Sequence, residues 1–300
     1  MPDSAENPDV ARHLRLVWPE WQGAGASTVA ELAPEFPLDV ARRGYTVGTR
    51  VLQAILPPHP GPTATVPVPM DTPTEPVRDG VESTGVLTHQ LVDAIALIEQ
   101  HAPDRITTLG GTCSVSVAPF TAMAARYPDD VAVIWIDSHP DIDTGDTGYD
   151  GYHAMAVSMI TGHGDAEMST HLPATIPASR VALVGLHEWV DDVFPHIEQW
   201  GLATFAPDDL RESSQPLLDW LAATGCSRVA IHFDVDTIAA AEGTLGLGAV
   251  PDGLTTDQVR RLGTDLAASS EVVATTVAEF FPRQVIRLQQ VLDALPLVSH

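Results

Sequence analysis

Short, largely apolar runs recur along this chain, several of them apolar throughout, and the most telling end in small polar clusters. Val131–Ile136 leads into Asp137-Ser138-His139-Pro140-Asp141, Val229–Phe233 into Asp234-Val235-Asp236, and Ile106–Leu109 into Gly110-Gly111-Thr112-Cys113-Ser114. A strand that is apolar on both faces must be covered on both faces, which is the condition of a parallel sheet between helical layers. Longer amphipathic segments separate the runs, as crossover helices would. The fold class expected is therefore α/β, a three-layer α/β/α arrangement around a central, mainly parallel sheet.

Strands are predicted at Leu14–Trp18, Ala64–Val68, Arg105–Leu109, Val131–Ile136, Arg180–Val184, Ala203–Phe205, Arg228–Phe233 and Val273–Val277. Helices are predicted at Leu87–His101, Val115–Arg126, Gly151–Thr161, Gln215–Gly225, Thr255–Ser269 and Arg283–Leu295, with Thr255 as an N-cap and Pro296 as a stop. The proline-rich stretch Pro57–Pro76 reads as a surface excursion with one strand embedded, so residues 1–300 are expected to form a single domain.

The polar clusters sit where open parallel sheets bind ligands, beyond the carboxyl ends of the strands. Residues i, i+2 and i+4 of an extended segment face one way, roughly 6.6 Å per pair. Asp137, His139 and Asp141 can thus converge, and Asp234 and Asp236 can meet them from a neighbouring strand. Carboxylates gathered so closely repel one another unless a cation lies among them. Hard oxygen donors mixed with imidazole suit divalent manganese and its neighbours.

Composition narrows the partners. The net charge is −25, from 40 acidic and 15 basic residues, which argues against nucleic acid or an anionic membrane surface as a partner. All 15 basic residues are arginine, so a Schiff-base lysine and a P-loop lysine are both excluded. Two cysteines, Cys113 and Cys226, are too few for a disulfide framework. Met1–Val10 is acidic and lacks the apolar core of a leader, and no run is long enough to span a bilayer, so a cytoplasmic location is expected.

The order Gly-Gly-x-x-Ser, Asp-x-His-x-Asp, a lone downstream histidine and Asp-x-Asp resembles the ureohydrolases, the family of arginases, agmatinases and formimidoyl hydrolases. The resemblance runs from about Arg105 to Pro282. It implies an arginase-like fold and a site for two divalent metal ions, manganese first, with zinc, iron, cobalt and nickel as alternatives. The ligands it implies are Asp137, His139, Asp141, Asp234 and Asp236. In that family the metal pair activates water to attack a guanidinium or amidine carbon, releasing urea or an analogue and an amine. The remaining family ligand is a histidine, and Cys113 stands in its place. Three outcomes stay open: thiolate ligation, a weakly held first metal, or no first metal. Cysteine at this position is similar to relatives that act on Nω-hydroxy-arginine.

His153 matches the family's proton-shuttling histidine, and imidazole has the pKa to protonate a departing nitrogen. Glu279 matches the glutamate that pairs with the substrate guanidinium, to which a carboxylate can bind bidentately. Asp143 replaces the asparagine that holds an amino-acid carboxylate in arginases, which points away from unmodified L-arginine and towards an amine or plain guanidine. His187, with Glu188 and Trp189, occupies a further substrate-facing position. His232 lies on the strand face of Asp234 and Asp236, as a supporting partner or an added ligand. The family's Asp-x-Asp-x-x-Asp-Pro is reduced here to Asp234–Ala240, without its third aspartate.

The leading expectation is a metal-dependent C–N hydrolase acting on a small cationic guanidino compound, in a homo-oligomer as the resemblance implies. The alternative is a non-catalytic relative with an incomplete metal site and an assembly or regulatory role. A zinc hydrolase of the deacetylase type is disfavoured by the additional carboxylates Asp141 and Asp236.

Overall fold

A computed structural model describes residues 12–71 and 75–298; the segment Met1–Val10 and part of the Pro57–Pro76 stretch, at 72–74, lie outside the described residues. The strands are β1 (His13–Trp18), β2 (Thr63–Thr65), β3 (Arg105–Gly110), β4 (Val131–Ile136), β5 (Val181–Val184), β6 (Ala203–Phe205), β7 (Arg228–Asp234) and β8 (Glu271–Ala278). They form one eight-stranded sheet in the order β2-β1-β3-β8-β7-β4-β5-β6, with every named pairing parallel.

The apolar runs do what both-face burial requires. In β4, Val131, Val133 and Trp135 pack into one core, while Ala132, Ile134 and Ile136 pack into the other. β5 divides in the same way, Val181 and Leu183 to the first core, Ala182 and Val184 to the second. The sheet therefore separates two helical layers, as the sequence predicts.

Predicted and observed elements differ mainly at their edges. The strand expected at Ala64–Val68 shortens to Thr63–Thr65 at the edge of the sheet, where only β1 pairs with it. Thr255 caps the helix Thr256–Ser269 in a reciprocal capping box with Gln258. Helices at Ala26–Leu32, Leu38–Arg42, Gly44–Ile55, Ala166–Ser169 and Phe194–Trp200 were not foreseen. Gly44–Ile55 carries glycines and β-branched residues that lower helix propensity, and tertiary packing against the site outweighs them. Among the described residues no helix is long and apolar enough to cross a membrane.

The site strands are neighbours. β3, β8, β7 and β4 lie side by side in the middle of the sheet, about 5 Å apart. Their carboxyl ends deliver Cys113, Glu279, the Asp234–Asp236 pair and the Asp137–Asp141 loop to one place.

Candidate metal centre

Two groups of donor atoms meet at this edge. Cys113, Asp137, His232 and Asp234 offer ligand atoms within 4.8 Å of one another, and so do Asp137, His139 and Asp236. Asp137 belongs to both groups, so it stands between them. The Cys113 thiol donates to Asp234 Oδ2 at 3.1 Å and lies 4.0 Å from Asp137 Oδ2. The backbone N–H of Asp236 donates to Asp234 Oδ1 at 2.8 Å, and that of His139 to Asp137 Oδ1 at 2.7 Å. His139 Nδ1 is 3.1 Å from Asp236 Oδ2, and Ser138 Oγ donates to Asp236 Oδ1 at 2.6 Å.

Asp141 reaches the centre in a different way from that expected. β4 stops at Ile136, and Asp141 has a left-handed backbone, φ 50°, rather than continuing an extended chain. Glu279 is likewise left-handed, φ 61°. Such a conformation costs a non-glycine residue roughly 1–2 kcal/mol, and strain of this kind persists where the surroundings over-determine it. Asp141 lies within electrostatic reach of Asp137 and Cys113, and its Oδ2 is buried without a hydrogen-bond partner.

The electrostatics are those of an uncompensated acidic cluster. Burial, then the charge of Asp236, pushes the Asp137 carboxyl up to about 6. Burial and neighbouring carboxylates raise Asp141 and Asp234 well above the ordinary range. Burial opposes ionisation of Asp236 as well, but His139 beside it outweighs burial and holds it at about 2. The orphaned Asp141 oxygen and these carboxylates fit a divalent cation, which would satisfy both at once. His232 fits the same purpose. Its Nε2 is buried, unpartnered and 3.9 Å from Asp137 Oδ2, while Nδ1 shares a 2.8 Å hydrogen bond with Ser116 Oγ. Burial lowers its pKa to about 3, so the ring stays neutral and able to donate a lone pair.

A pH dependence follows. Carboxylates whose folded pKa is raised stabilise the metal-free protein fully only below the unfolded value, about 3.9. That stability is lost as pH rises through the folded value, about 6 for Asp137. Bound metal reverses the sign by favouring the ionised forms. The Tm difference between manganese-loaded and chelator-treated protein is expected to widen by several degrees from pH 5 to pH 8. Thermal unfolding across that range checks it; an equal or shrinking difference would contradict the centre.

His153 and Glu279 form a second cluster beside the first, the ring Nδ1 lying 3.2 Å from Glu279 Oε1. Glu279 Oε1 also accepts from the Cys113 backbone N–H at 3.1 Å. Tyr149 OH pairs with His153 Nε2 at 2.7 Å and accepts from the Gly25 N–H at 3.0 Å. Burial disfavours the imidazolium, but Tyr149, Glu279 and Asp141 outweigh it and raise the His153 pKa well above its ordinary value.

Three supporting residues escaped the sequence reading. Trp135 Nε1 donates to Asp137 Oδ2 at 3.1 Å, and its ring stacks on His232 at 3.7 Å. Tyr149 holds His153 as described. Glu20, fully buried, accepts from Gly23 N–H at 2.5 Å, from Ser114 Oγ at 3.2 Å and from the Thr112 hydroxyl, so it grips both neighbours of Cys113. Gly111 permits this approach, since a Cβ there would lie 1.6 Å from the Glu20 carbonyl oxygen. Only the oddity of Pro19-Glu20-Trp21 directly after the apolar strand end Leu16-Val17-Trp18 hinted at Glu20.

A cavity of about 530 Å³ opens above the cluster, lined by His139, Asp141, Asp143, His153, Asp234, Asp236 and Glu279 among others. Asp143 is reached by the Thr147 hydroxyl at 2.8 Å. His187 is not among the lining residues; its Nδ1 pairs with the Gly185 carbonyl at 2.6 Å, and its successors Glu188 and Trp189 line the wall instead.

Sheet and site together define a parallel α/β protein with a carboxylate-rich, metal-ligand-type centre at the carboxyl edge. The family model described as "Arginase family" matches residues 66–292, and the chain belongs to that family, the ureohydrolases. Hepatic arginase of Aquarana catesbeiana is 24% identical over 207 residues, covering 63% of this chain and 61% of that protein. Arginase of Staphylococcus aureus (strain MRSA252) is 26% identical over 154 residues, covering 49% and 50%. The chain thus spans about half to three-fifths of the length of these curated relatives. Among solved structures, Entamoeba histolytica arginase in complex with L-ornithine superposes with a TM-score of 0.75 at 16% identity, covering 95% of this chain and 98% of that one. Agmatine ureohydrolase of Thermoplasma volcanium gives 0.59 at 15% identity, covering 99% and 92%. At these identities the shared property is the fold.

Proposed function

We propose that this chain hydrolyses a C–N bond of a guanidino compound in a metal-dependent reaction. The observation that carries the reading is the gathering of donor atoms from Cys113, Asp137, His232 and Asp234 and from Asp137, His139 and Asp236, beside a cavity lined by His139, Asp141, Asp234, Asp236 and the His153–Glu279 pair. Asp137, His139, Asp236, Asp234, Asp141 and either Cys113 or His232 would hold a pair of divalent ions, manganese being the first choice from the donor set. When bound, such ions supply a water of lowered pKa and polarise the carbon under attack. Glu279 pairs with the guanidinium and orients its plane. His153, protonated in its acidic surroundings, carries the proton that the departing nitrogen needs. Arginine, hydroxy-arginine and agmatine are the substrates to which the family resemblance leads.

One observation favours a second reading, a non-catalytic relative with an incomplete site. Cys113 stands where the family has a histidine ligand, and its thiol donates to Asp234 Oδ2 at 3.1 Å, as a neutral thiol does. Elemental analysis after manganese loading separates the two. Two metals per chain in the wild type, with urea released from a guanidino panel, are expected. One metal or none, rising to two in Cys113→His, would show that the cysteine has disarmed the site and would favour the non-catalytic reading.

A further inference from the structure

Resting on that reading of the site, we infer that the preferred substrate is a guanidinium or amidinium bearing an apolar tail and no carboxylate. The cavity has an acidic floor and an apolar mouth. In that reading Asp141, Asp234 and Asp236 on its floor are taken by the metal ions, which leaves Glu279 to pair with a planar cation by charge and by hydrogen bonding.

The outer wall offers nothing to a carboxylate. Among the described residues no arginine lines the cavity, and the sequence contains no lysine. Beyond the histidines and carboxylates of the centre, the charged groups that line the cavity, Asp143 and Glu188, are acidic. An amino-acid carboxylate entering here would meet Asp143 and Glu188, with no arginine or lysine to offset its desolvation.

The mouth is instead a collar of large apolar side chains left open to solvent. Leu32 is 46% exposed, Trp189 40% and Val190 57%, and all three line the cavity. Val250 and the buried Leu247 add apolar surface to the lining. Exposed apolar groups gathered around a pocket mark a binding surface rather than a solubility accident. They cover best by accepting an alkyl or aryl substituent, which gains about fourfold in affinity per buried methylene. An ammonium tail would lose its water against the same collar and could recover a partner only at Glu188 or Asp143, so agmatine is the comparison that separates apolar from acidic recognition at the mouth.

Hydrolysis of such a substrate balances simply: water adds to the central carbon, the C–N bond to one nitrogen breaks, and that nitrogen leaves as an amine after taking a proton. The products are urea, or an amide from an amidine, and the amine. No oxidant or co-reactant is required.

The test compares n-hexylguanidine, unsubstituted guanidine, agmatine and L-arginine on the manganese-loaded full chain. Urea or amine release gives kcat/KM, and calorimetry gives binding. The expected result is a kcat/KM for n-hexylguanidine at least about 100-fold above that for L-arginine, with matching tighter binding. Trp189→Ala should raise KM for n-hexylguanidine roughly tenfold and that for unsubstituted guanidine by much less. Val190→Arg should narrow the gap by improving L-arginine. Preference for L-arginine or agmatine in turnover would overturn the inference and leave the hydrolase reading intact. If no compound is turned over, the hydrolase reading falls, and calorimetry alone decides the inference: tighter binding of n-hexylguanidine than of L-arginine supports it, and equal or weaker binding overturns it.

Discussion

Asp234→Asn is expected to remove at least one metal per chain and to lower the proposed hydrolysis about a thousandfold or more, equivalent to about 4 kcal/mol of transition-state stabilisation. Asp234 is the carboxylate of the first donor group that both accepts from the Cys113 thiol and accepts the N–H of Asp236 in the second. Asparagine keeps the acceptor oxygen and the shape while removing the charge. Its pKa is raised by burial first and then by Asp236, Asp137 and Glu279. Removing that charge therefore relieves repulsion, and the chelator-treated variant should unfold no lower than the chelator-treated wild type at pH 8. Loss of activity with retained stability locates the effect in metal binding. Activity within tenfold of wild type, measured as urea release with metal content by elemental analysis, would place the chemistry elsewhere.

Trp135→Ala is expected to cost about 3–5 kcal/mol of stability, the usual range for truncating a fully buried indole. Trp135 is wholly buried in β4, stacks on His232 with an interplanar angle of 8°, and meets Phe120 edge-on at 6.3 Å. For a chain of this size the loss corresponds to a fall in Tm of roughly 5–10 °C. Trp135→Phe separates packing from positioning. Much of the ring volume remains, but the Nε1 donor to Asp137 is gone. Metal affinity should then fall about 10- to 100-fold, the usual cost of losing a group that orients a ligand, with a smaller change in Tm. A Trp135→Phe protein that loses Tm but binds metal normally would show that the indole only packs.

Much of the layer architecture was legible because burial on both faces leaves a plain mark. Val131–Ile136 contains no polar residue, and only a sheet covered on two sides can hold it. The helices around Gly44–Ile55 left no such mark. Their sequence mixes glycine, threonine and valine, and the face that matters is defined by what it meets, with Gly48 packed against Phe280.

The sequence by itself determined the chemical inventory of the site and its placement at strand ends, since Asp137, His139, Asp234 and Asp236 follow apolar runs at fixed short spacing. It also determined, by Asp143 and the absence of lysine, that the site would be acidic. Only the tertiary structure decided the rest. The side-by-side order of β3, β8, β7 and β4 brings Cys113 to Asp234 across 121 positions of sequence. It places Glu20 against Thr112 and Ser114, gives Asp141 and Glu279 their left-handed turns, and draws Leu32 and Trp189 to one cavity mouth. Spacing along a strand is a local property, fixed by backbone geometry, whereas the meeting of loops depends on strand order, which is set by the packing of the whole sheet.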